Sequence, residues 1–277
     1  QLPSICPPPA SLDQGRLADK FQWLNDRGID LFQQDGSGLV DGRQILIASA
    51  AIEETVPDVA RAIALGCKRM TRAELLAEHF NGAPRSIAVG GTSGKSTVTG
   101  MIGWILTEAG RDPTIMNGAV MKNFADADAP FASSRVGAGE MMVSEVDESD
   151  GSIALFNPEI AVLNNVSLDH KSLAELRILF GDFISKSDHA IWNHDDTESV
   201  ALVDSLDPVK TSSFGFSGGA DYRALNVEEK ALGSSFTLHR GEAGFPVLLQ
   251  VPGRHNIANA LAWPAVLILS EPRMASR

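Results

Sequence analysis

Cysteine is scarce in this sequence of 277 residues, which contains only Cys6 and Cys67. The two lie far apart and without metal-ligand spacing, so we expect no disulfide framework and predict a cytoplasmic location. Basic residues are also few, because 23 Lys and Arg stand against 35 Asp and Glu, a net charge of −12. Broad binding to nucleic acid or to an anionic membrane depends on basic surface, and we therefore expect neither partner.

Long apolar runs are absent as well. The longest, residues 260–269, is interrupted by Pro264 and stays below the ~18 residues of a membrane helix. Residues 1–9 have neither the basic start nor the apolar core of a signal peptide, and the absence of an initiator Met leads us to expect a fragment. Hydrophobic residues make up 44% and charged residues 21%, which is ordinary for a globular protein of about two domains.

Strands and helices are predicted to alternate along the chain, which indicates the α/β class. We predict an incomplete, small Rossmann-like domain at residues 1–83 and a central phosphate-loop domain at 84–277. In the first domain, helices are predicted at 16–27, 57–64 and 72–80, and strands at 29–32 and 44–49. In the second, a mainly parallel sheet is predicted from 86–89, 114–116, 140–145, 160–163 and 190–192, with an antiparallel edge from 214–216, 222–227, 235–239 and 247–251.

Residues 86–97 organise the second domain as an apolar strand, the turn Gly-Gly-Thr-Ser-Gly-Lys-Ser-Thr and a helix. Such a turn aims backbone N–H groups at one point, where a polyphosphate fits, with Lys95 at its outer oxygens and Ser96 free to ligate Mg²⁺. A glycine-rich turn with a solvated lysine is the alternative. The general phosphate-loop pattern has Gly where Val89 stands, so this loop is shorter than the common type.

A run of carboxylates follows the strand predicted at 140–145. Glu145 would emerge at the carboxyl end of that strand, where open α/β sheets bind ligands, close to Lys95 and Ser96. Mg²⁺ is usually held by one or two carboxylates together with waters and phosphates. Glu145 is therefore predicted as a metal ligand, with an acidic surface loop as the alternative.

The strand predicted at 160–163 leads to Asn165, Asp169 and His170 at the same edge of the sheet. A His beside an Asp is often a capping or surface pair. Delivery from a core strand favours instead a contact with a second metal or with a phosphate oxygen.

The segment 251–262 places His255, Asn256 and Asn259 at the start of a predicted helix. Amide and imidazole groups can read the hydrogen-bonding edge of a nucleobase. Taken alone, the segment is explained equally well as a capped helix.

Four segments, in the order 91–97, 145–150, 165–170 and 252–260, resemble the motifs of the Mur ligase family, the ATP-dependent amide-bond ligases of peptidoglycan precursor synthesis. Stretches 48–52, 72–78 and 109–118 are similar to the branch that adds L-alanine or a murein tripeptide. The resemblance implies ATP and Mg²⁺, a UDP-N-acetylmuramate-type substrate, an amino acid or peptide, and reaction through an acyl phosphate.

The resemblance also implies roles for single residues. It assigns to the ATP loop Gly91, Thr92, Ser93, Gly94, Lys95, Ser96 and Thr97. It assigns to the adenine side His255, Asn256 and Asn259. It assigns to catalysis Lys95, Glu145 and His170, and to the metal Ser96, Glu145 and His170.

Two departures from the family pattern bear on activity. A proline-rich segment stands where the branch has a strand and a glycine-rich turn for the uridine diphosphate. No third, amino-acid-binding domain follows the adenine motif, so we expect a missing C-terminal domain or a partner chain. A nucleotide-binding module without ligase chemistry is the alternative, and an ATPase or small-molecule kinase, resting on the loop alone, is a third hypothesis.

Overall fold

The computed structural model describes residues 14–168, 171–204, 206–207 and 210–270. The chain divides into two compact units between Leu76 and Ala77. The predicted domain boundary at residues 83 and 84 stays a prediction. No helix in the described parts of the chain is both long and apolar enough to cross a membrane.

The first unit is a small α/β arrangement, in which two strands pair in parallel. Its elements are α1 (Gln14–Asn25), β1 (Ile45–Ala48), α2 (Pro57–Leu65) and β2 (Lys68–Thr71), and the division falls within α3 (Arg72–Asn81). Pro57 starts α2, where its missing N–H is no loss, and Gly66 ends it in the left-handed region at φ 68°. The three predicted helices are therefore confirmed to within a few residues.

The strand predicted at 29–32 is wrong, since only Leu31 makes an isolated bridge there. The physical reason lies at the end of α1. Gly28 takes φ 74°, and the N–H of Ile29 donates back to the carbonyl of Leu24. This segment therefore closes a helix.

The second unit is built on one sheet of ten strands in the order β12-β11-β10-β9-β8-β7-β3-β6-β4-β5. The strands are β3 (Arg85–Gly90), β4 (Thr114–Met116), β5 (Ser134–Arg135), β6 (Met141–Glu145), β7 (Ile160–Leu163), β8 (His189–Asn193), β9 (Thr211–Gly215), β10 (Tyr222–Lys230), β11 (Gly233–Arg240) and β12 (Ala243–Leu249). The helices are α4 (Lys95–Glu108), α5 (Leu173–Ser185), α6 (Thr197–Val203), α7 (Arg254–Ala260) and α8 (Trp263–Leu269), with short 3₁₀ turns at Lys122–Phe124 and Ser152–Leu155.

Strands β4, β6, β3, β7, β8, β9 and β10 run parallel to one another, whereas β5, β11 and β12 pair antiparallel with the strands beside them. The predicted mainly parallel sheet with an antiparallel edge is thus confirmed. The strand predicted at 214–216 as part of that edge overlaps β9, however, and β9 pairs in parallel with β8 and β10. Parallel strands are covered on both faces and therefore read as continuous apolar runs, and the side chains of Ile87 to Val89 are accordingly buried.

The phosphate-loop segment lies near the middle of the sheet, between β3 and a helix that packs into the core. Val98, Ile102 and Leu106 recur on one side of α4, and all three are fully buried, in the same core as residues of α7 and α8. Because β3 lies between β6 and β7, the segment after Gly90 lies level with the carboxyl ends of both neighbours, with Val89 opposite Glu145 and Gly90 opposite Leu163.

Candidate active site

The loop between β3 and α4 has the predicted form of strand, glycine turn and helix. Gly91 and Gly94 adopt φ 139° and 79°, a region that side chains with a Cβ rarely occupy. Gly94 is the N-cap of α4, and its carbonyl accepts the N–H of Val98. The N–H groups of the first helical turn, beginning at Lys95, therefore lack partners within the helix and carry the positive end of its dipole.

Asn165, at the carboxyl end of β7, holds the loop by both ends of its side-chain amide. Its Oδ1 accepts from the N–H of Ser93 and the hydroxyl of Thr92, both at 2.9 Å, and its Nδ2 donates to the carbonyl of Ser93 at 2.9 Å. The N–H of Thr92 donates to the carbonyl of Asn165 at 3.1 Å. Two N–H groups assigned to phosphate binding are thus used inside the protein, which leaves the first turn of α4 as the main donor set.

Asn164 connects the same loop to the segment predicted to bind adenine. Its Nδ2 donates to the carbonyl of Ser93 and to Oδ1 of Asn259, each at 3.0 Å. Asn259 is buried, and a Cβ on Gly94 would lie 2.8 Å from its Oδ1 and 2.7 Å from Nδ2 of Asn164. The structure therefore brings Asn259 to the loop, as a packing and hydrogen-bonding partner.

Lys95 forms an ion pair with a carboxylate that the sequence analysis did not single out. Its Nζ lies 2.7 Å from Oε2 of Glu148, and the two side chains are 14% and 6% exposed. Sequence reasoning missed Glu148 because four carboxylates fall within the six positions 145–150. The cluster of carboxylates indicates an acidic loop, but it does not indicate that the side chain of Glu148 is the one that faces inward.

Glu145 and Ser96 each form a hydrogen bond with the segment that follows β4. Oε2 of Glu145 accepts the N–H of Gly118 at 2.9 Å, and Nδ2 of Asn117 donates to the carbonyl of Ser96 at 3.0 Å. Both side chains are partly exposed at the edge where the loop lies. Asn117 is a further site residue that sequence reasoning missed.

The oxygen ligands that the protein offers here fit a metal ion that takes most of its ligands from phosphate and water. No three His, Cys, Asp or Glu side chains cluster as a metal site within the described ranges. One carboxylate, that of Glu145, and one hydroxyl, that of Ser96, are what Mg²⁺ needs when phosphate oxygens and waters complete its shell. Asp169 and His170, the other predicted ligand segment, lie outside the described residues.

The remaining residues of the predicted adenine segment lie at the start of α7. His255 is exposed, and Asn256 donates from Nδ2 to the carbonyl of Pro252 in its own turn at 2.7 Å. The guanidinium of Arg254 lies over the ring of Phe216, 3.9 Å from its centroid. The structure thus joins α7 to the end of β9, and the contact of His255 and Asn256 with a base stays a prediction.

An aspartate fixes the turn after β9 beside this segment. Asp195 accepts from the N–H groups of Phe216 and Ser217 at 2.6 and 3.0 Å. Burial acts to raise the pKa of Asp195, but the hydrogen bonds from Ser217 and Phe216 outweigh it and hold the pKa below its usual value. The carboxylate therefore stays charged and keeps Phe216 in place under Arg254.

Comparison with known proteins supplies independent evidence about the family of this chain. Residues 89–267 match the model of the Mur ligase middle domain. The chain is 33% identical over 272 residues to the UDP-N-acetylmuramate–L-alanine ligase of Paracoccus denitrificans, covering 91% of this chain and 55% of the relative. It is 34% identical over 258 residues to the enzyme of the same name from Geobacter sp., covering 91% and 54%. The chain thus spans about half the length of these curated relatives.

Two solved structures share the fold. UDP-N-acetylmuramate-alanine ligase MurC from Thermotoga maritima aligns with a TM-score of 0.76 at 22% identity, covering 93% of this chain and 58% of that one. The UDP-N-acetylmuramate:L-alanyl-gamma-D-glutamyl-meso-diaminopimelate ligase from Neisseria meningitides aligns with a TM-score of 0.78 at 22% identity, covering 96% and 85%. At this identity the likeness concerns the fold alone.

Proposed function

The chain belongs to the Mur ligase family, and from that premise we propose that it carries the ATP site of an ATP-dependent amide-bond ligase of peptidoglycan precursor synthesis. The acceptor is a UDP-N-acetylmuramate-type carboxylate and the amine donor is L-alanine, with a peptide as the other donor considered. The names of the relatives that are 33% and 34% identical favour L-alanine. The observation that carries the proposal is the Lys95 loop at the centre of the sheet, level with Glu145.

Each residue has a role in the proposed reaction. The first-turn N–H groups of α4 bind the phosphates, with Lys95 neutralising charge on the outer oxygens. Ser96 and Glu145 would hold Mg²⁺, which supplies further charge neutralisation when bound. Asn164 and Asn165 keep the loop in shape through their bonds to Ser93.

The reaction itself is a pair of displacements. A carboxylate oxygen of the acceptor forms a bond to the γ-phosphorus of ATP as the bond to ADP breaks, which gives an acyl phosphate. The amine nitrogen then forms the amide bond, inorganic phosphate leaves, and the nitrogen loses its proton. This chain's residues act by positioning and by charge, because phosphoryl transfer requires little covalent help from the protein.

The experiment that tests the proposal compares ATP binding and turnover in the wild type, Lys95→Ala and Lys186→Ala. Within the described residues, Lys186 bonds to the carbonyl of Ala154 and to Asp182 on α5, so its variant is the matched control for losing an ammonium. We expect Lys95→Ala to lower ATP affinity by at least about tenfold and to abolish turnover, because a charge-assisted contact is lost. Near-normal ATP binding by folded Lys95→Ala protein would contradict the proposal.

Phosphate release separates the alternatives. Release that requires both UDP-N-acetylmuramate and L-alanine supports the ligase, and ATP binding without turnover supports a nucleotide-binding module. Release without any amino acid supports the kinase-like reaction. Because Lys95→Ala leaves the Glu148 carboxylate buried alone, Lys95→Ala/Glu148→Gln serves as a second variant if the single one does not fold.

A further inference from the structure

The ion pair between Lys95 and Glu148 is more enclosed than the others in the described part of the chain. Nζ and Oε2 are 2.7 Å apart, with exposed fractions of 14% and 6%, whereas the next most enclosed pair, Arg85 with Glu159, has 21% and 24%. A carboxylate so enclosed is stable as an anion only if a cation or strong donors compensate it. Lys95 is the cation that does so.

Backbone contacts fix Glu148 in this position. Its loop leaves the carboxyl end of β6, and the side chain of Asp147 accepts the N–H of Ser149 at 3.0 Å. The carbonyl of Glu148 accepts the N–H of Gly151 at 3.1 Å, which closes a turn around the residue. These bonds fix the backbone of the loop at residue 148, and the side chain that leaves it there is enclosed, with 6% of it exposed.

The pair lies where the proposed function puts the phosphates of ATP. Lys95 is the first residue of α4, so its side chain starts from the same helical turn whose N–H groups would bind them. A triphosphate there would approach a buried carboxylate of the same sign. One ammonium cannot fully compensate the charge of Glu148 and that of the phosphates at the same time. Electrostatic stabilisation that Lys95 gives to the phosphates is therefore lost by Glu148.

We propose that Glu148 is a positioning residue that stands in for phosphate: it holds Lys95 at the loop in the nucleotide-free chain and yields it when ATP binds. The inference rests on the proposed function, since it requires Lys95 to contact phosphate. It has two consequences. Glu148 keeps Lys95 out of solvent and aimed along the loop, and it lowers affinity for anions that cannot displace it.

The first experiment measures ATP affinity by calorimetry in the full 277-residue chain for the wild type, Glu148→Gln and Asp150→Asn. Gln keeps the shape and one acceptor at position 148 but removes the competing charge, so we expect ATP to bind on the order of tenfold more tightly. Asp150 lies in the same loop and accepts the N–H of Ser152 at 2.8 Å, a bond that Asn retains. Asp150→Asn therefore controls for the loss of one charge, and its effect should be within about twofold of none.

The ATP affinities of the two variants decide between support for the proposal and its rejection. Tighter binding by Glu148→Gln alone supports the stand-in role. An unchanged or weaker affinity overturns it, because Glu148 would then not compete with ATP for the ammonium of Lys95. An equal gain in Asp150→Asn also overturns it, since the effect would be a general one of net charge.

A second measurement does not depend on turnover. Modification of Lys95 by an amine-reactive reagent, followed by mass spectrometry, reports how far the ammonium is held out of solvent. We expect Glu148→Gln to increase the modification rate several-fold, because the amide holds the ammonium less tightly. An equal rate in the two proteins overturns the inference.

The same measurement separates the two levels of failure. If ATP does not protect Lys95 of the wild type from the reagent, and Lys95→Ala retains ATP affinity, the proposed function is wrong. If ATP protects Lys95 but Glu148→Gln binds ATP no more tightly than the wild type, the ATP site stands and only the stand-in role of Glu148 is wrong.

Discussion

Asn164 at the end of β7 donates from Nδ2 to Oδ1 of Asn259 on α7 at 3.0 Å, joining positions that are 95 residues apart. Both amides also border Gly94, where a Cβ would come within 2.8 Å of either one. The shape of the Lys95 loop therefore depends on a late helix as well as on its own glycines. This contact makes the loop sensitive to substitutions that do not touch phosphate.

Replacing Asn259 should show that dependence as a loss of stability. Asn259→Ala leaves the buried amide of Asn164 short of one acceptor, and we expect the free energy of unfolding to fall by about 1–3 kcal/mol, measured by urea denaturation. Asn256→Ala on the same helix is the control, because that amide donates to the carbonyl of Pro252 in its own turn at a partly exposed site. Unchanged stability of Asn259→Ala together with lost ATP affinity would mean that Asn259 contacts the base directly.

Gly94 and Gly110 form a matched pair for the effect of packing around the loop. Both have positive φ, 79° and 73°, but no atom of the described residues lies within 4 Å of a Cβ on Gly110. Gly110→Ala should therefore lose about 1–2 kcal/mol of stability from its backbone alone and bind ATP normally. Gly94→Ala should lose about 1–3 kcal/mol more and bind ATP at least about tenfold more weakly, because Asn164 and Asn259 must move. Equal ATP affinity of the two variants would contradict the claim that close packing of Asn164 and Asn259 around Gly94 shapes the ATP-binding loop.

Much of the fold could be predicted because short, local sequence patterns determine its main strands and turns. The buried strands β3, β6 and β7 are short apolar runs, and the glycines before Lys95 mark the turn. The partner of Lys95 was not predictable, because Glu145 and Glu148 have the same chemistry and the turn after β6 decides which one faces inward. Residues 29–32 likewise have the composition of a strand, but the end of α1 uses their backbone donor.

Glu145 can be tested as a metal ligand without disturbing its neighbours. Glu145→Gln keeps an acceptor for the N–H of Gly118 but removes the charge. We expect the Mg²⁺ concentration that gives half-maximal ATP affinity to rise on the order of tenfold, with metal-free ATP binding unchanged. Glu140→Gln, one residue before the start of the same strand, controls for charge alone. An unchanged Mg²⁺ requirement in Glu145→Gln would exclude Glu145 as a ligand.

His189 at the start of β8 gives the fold a pH dependence of known sign. Burial lowers its pKa, and the nearby carboxylate of Asp221 opposes that effect only in part. Because the unfolded chain regains a pKa of about 6.5, it takes up the proton first, and stability must fall as the pH drops below that value toward the folded pKa. His189→Gln should remove this part of the pH dependence in denaturation series between about pH 5 and 8. Ser212→Ala removes the 2.9 Å contact with Nε2 but leaves the ring half-buried, so it should retain the dependence. A wild-type profile that matches that of His189→Gln would show that burial of this imidazole does not favour its neutral form.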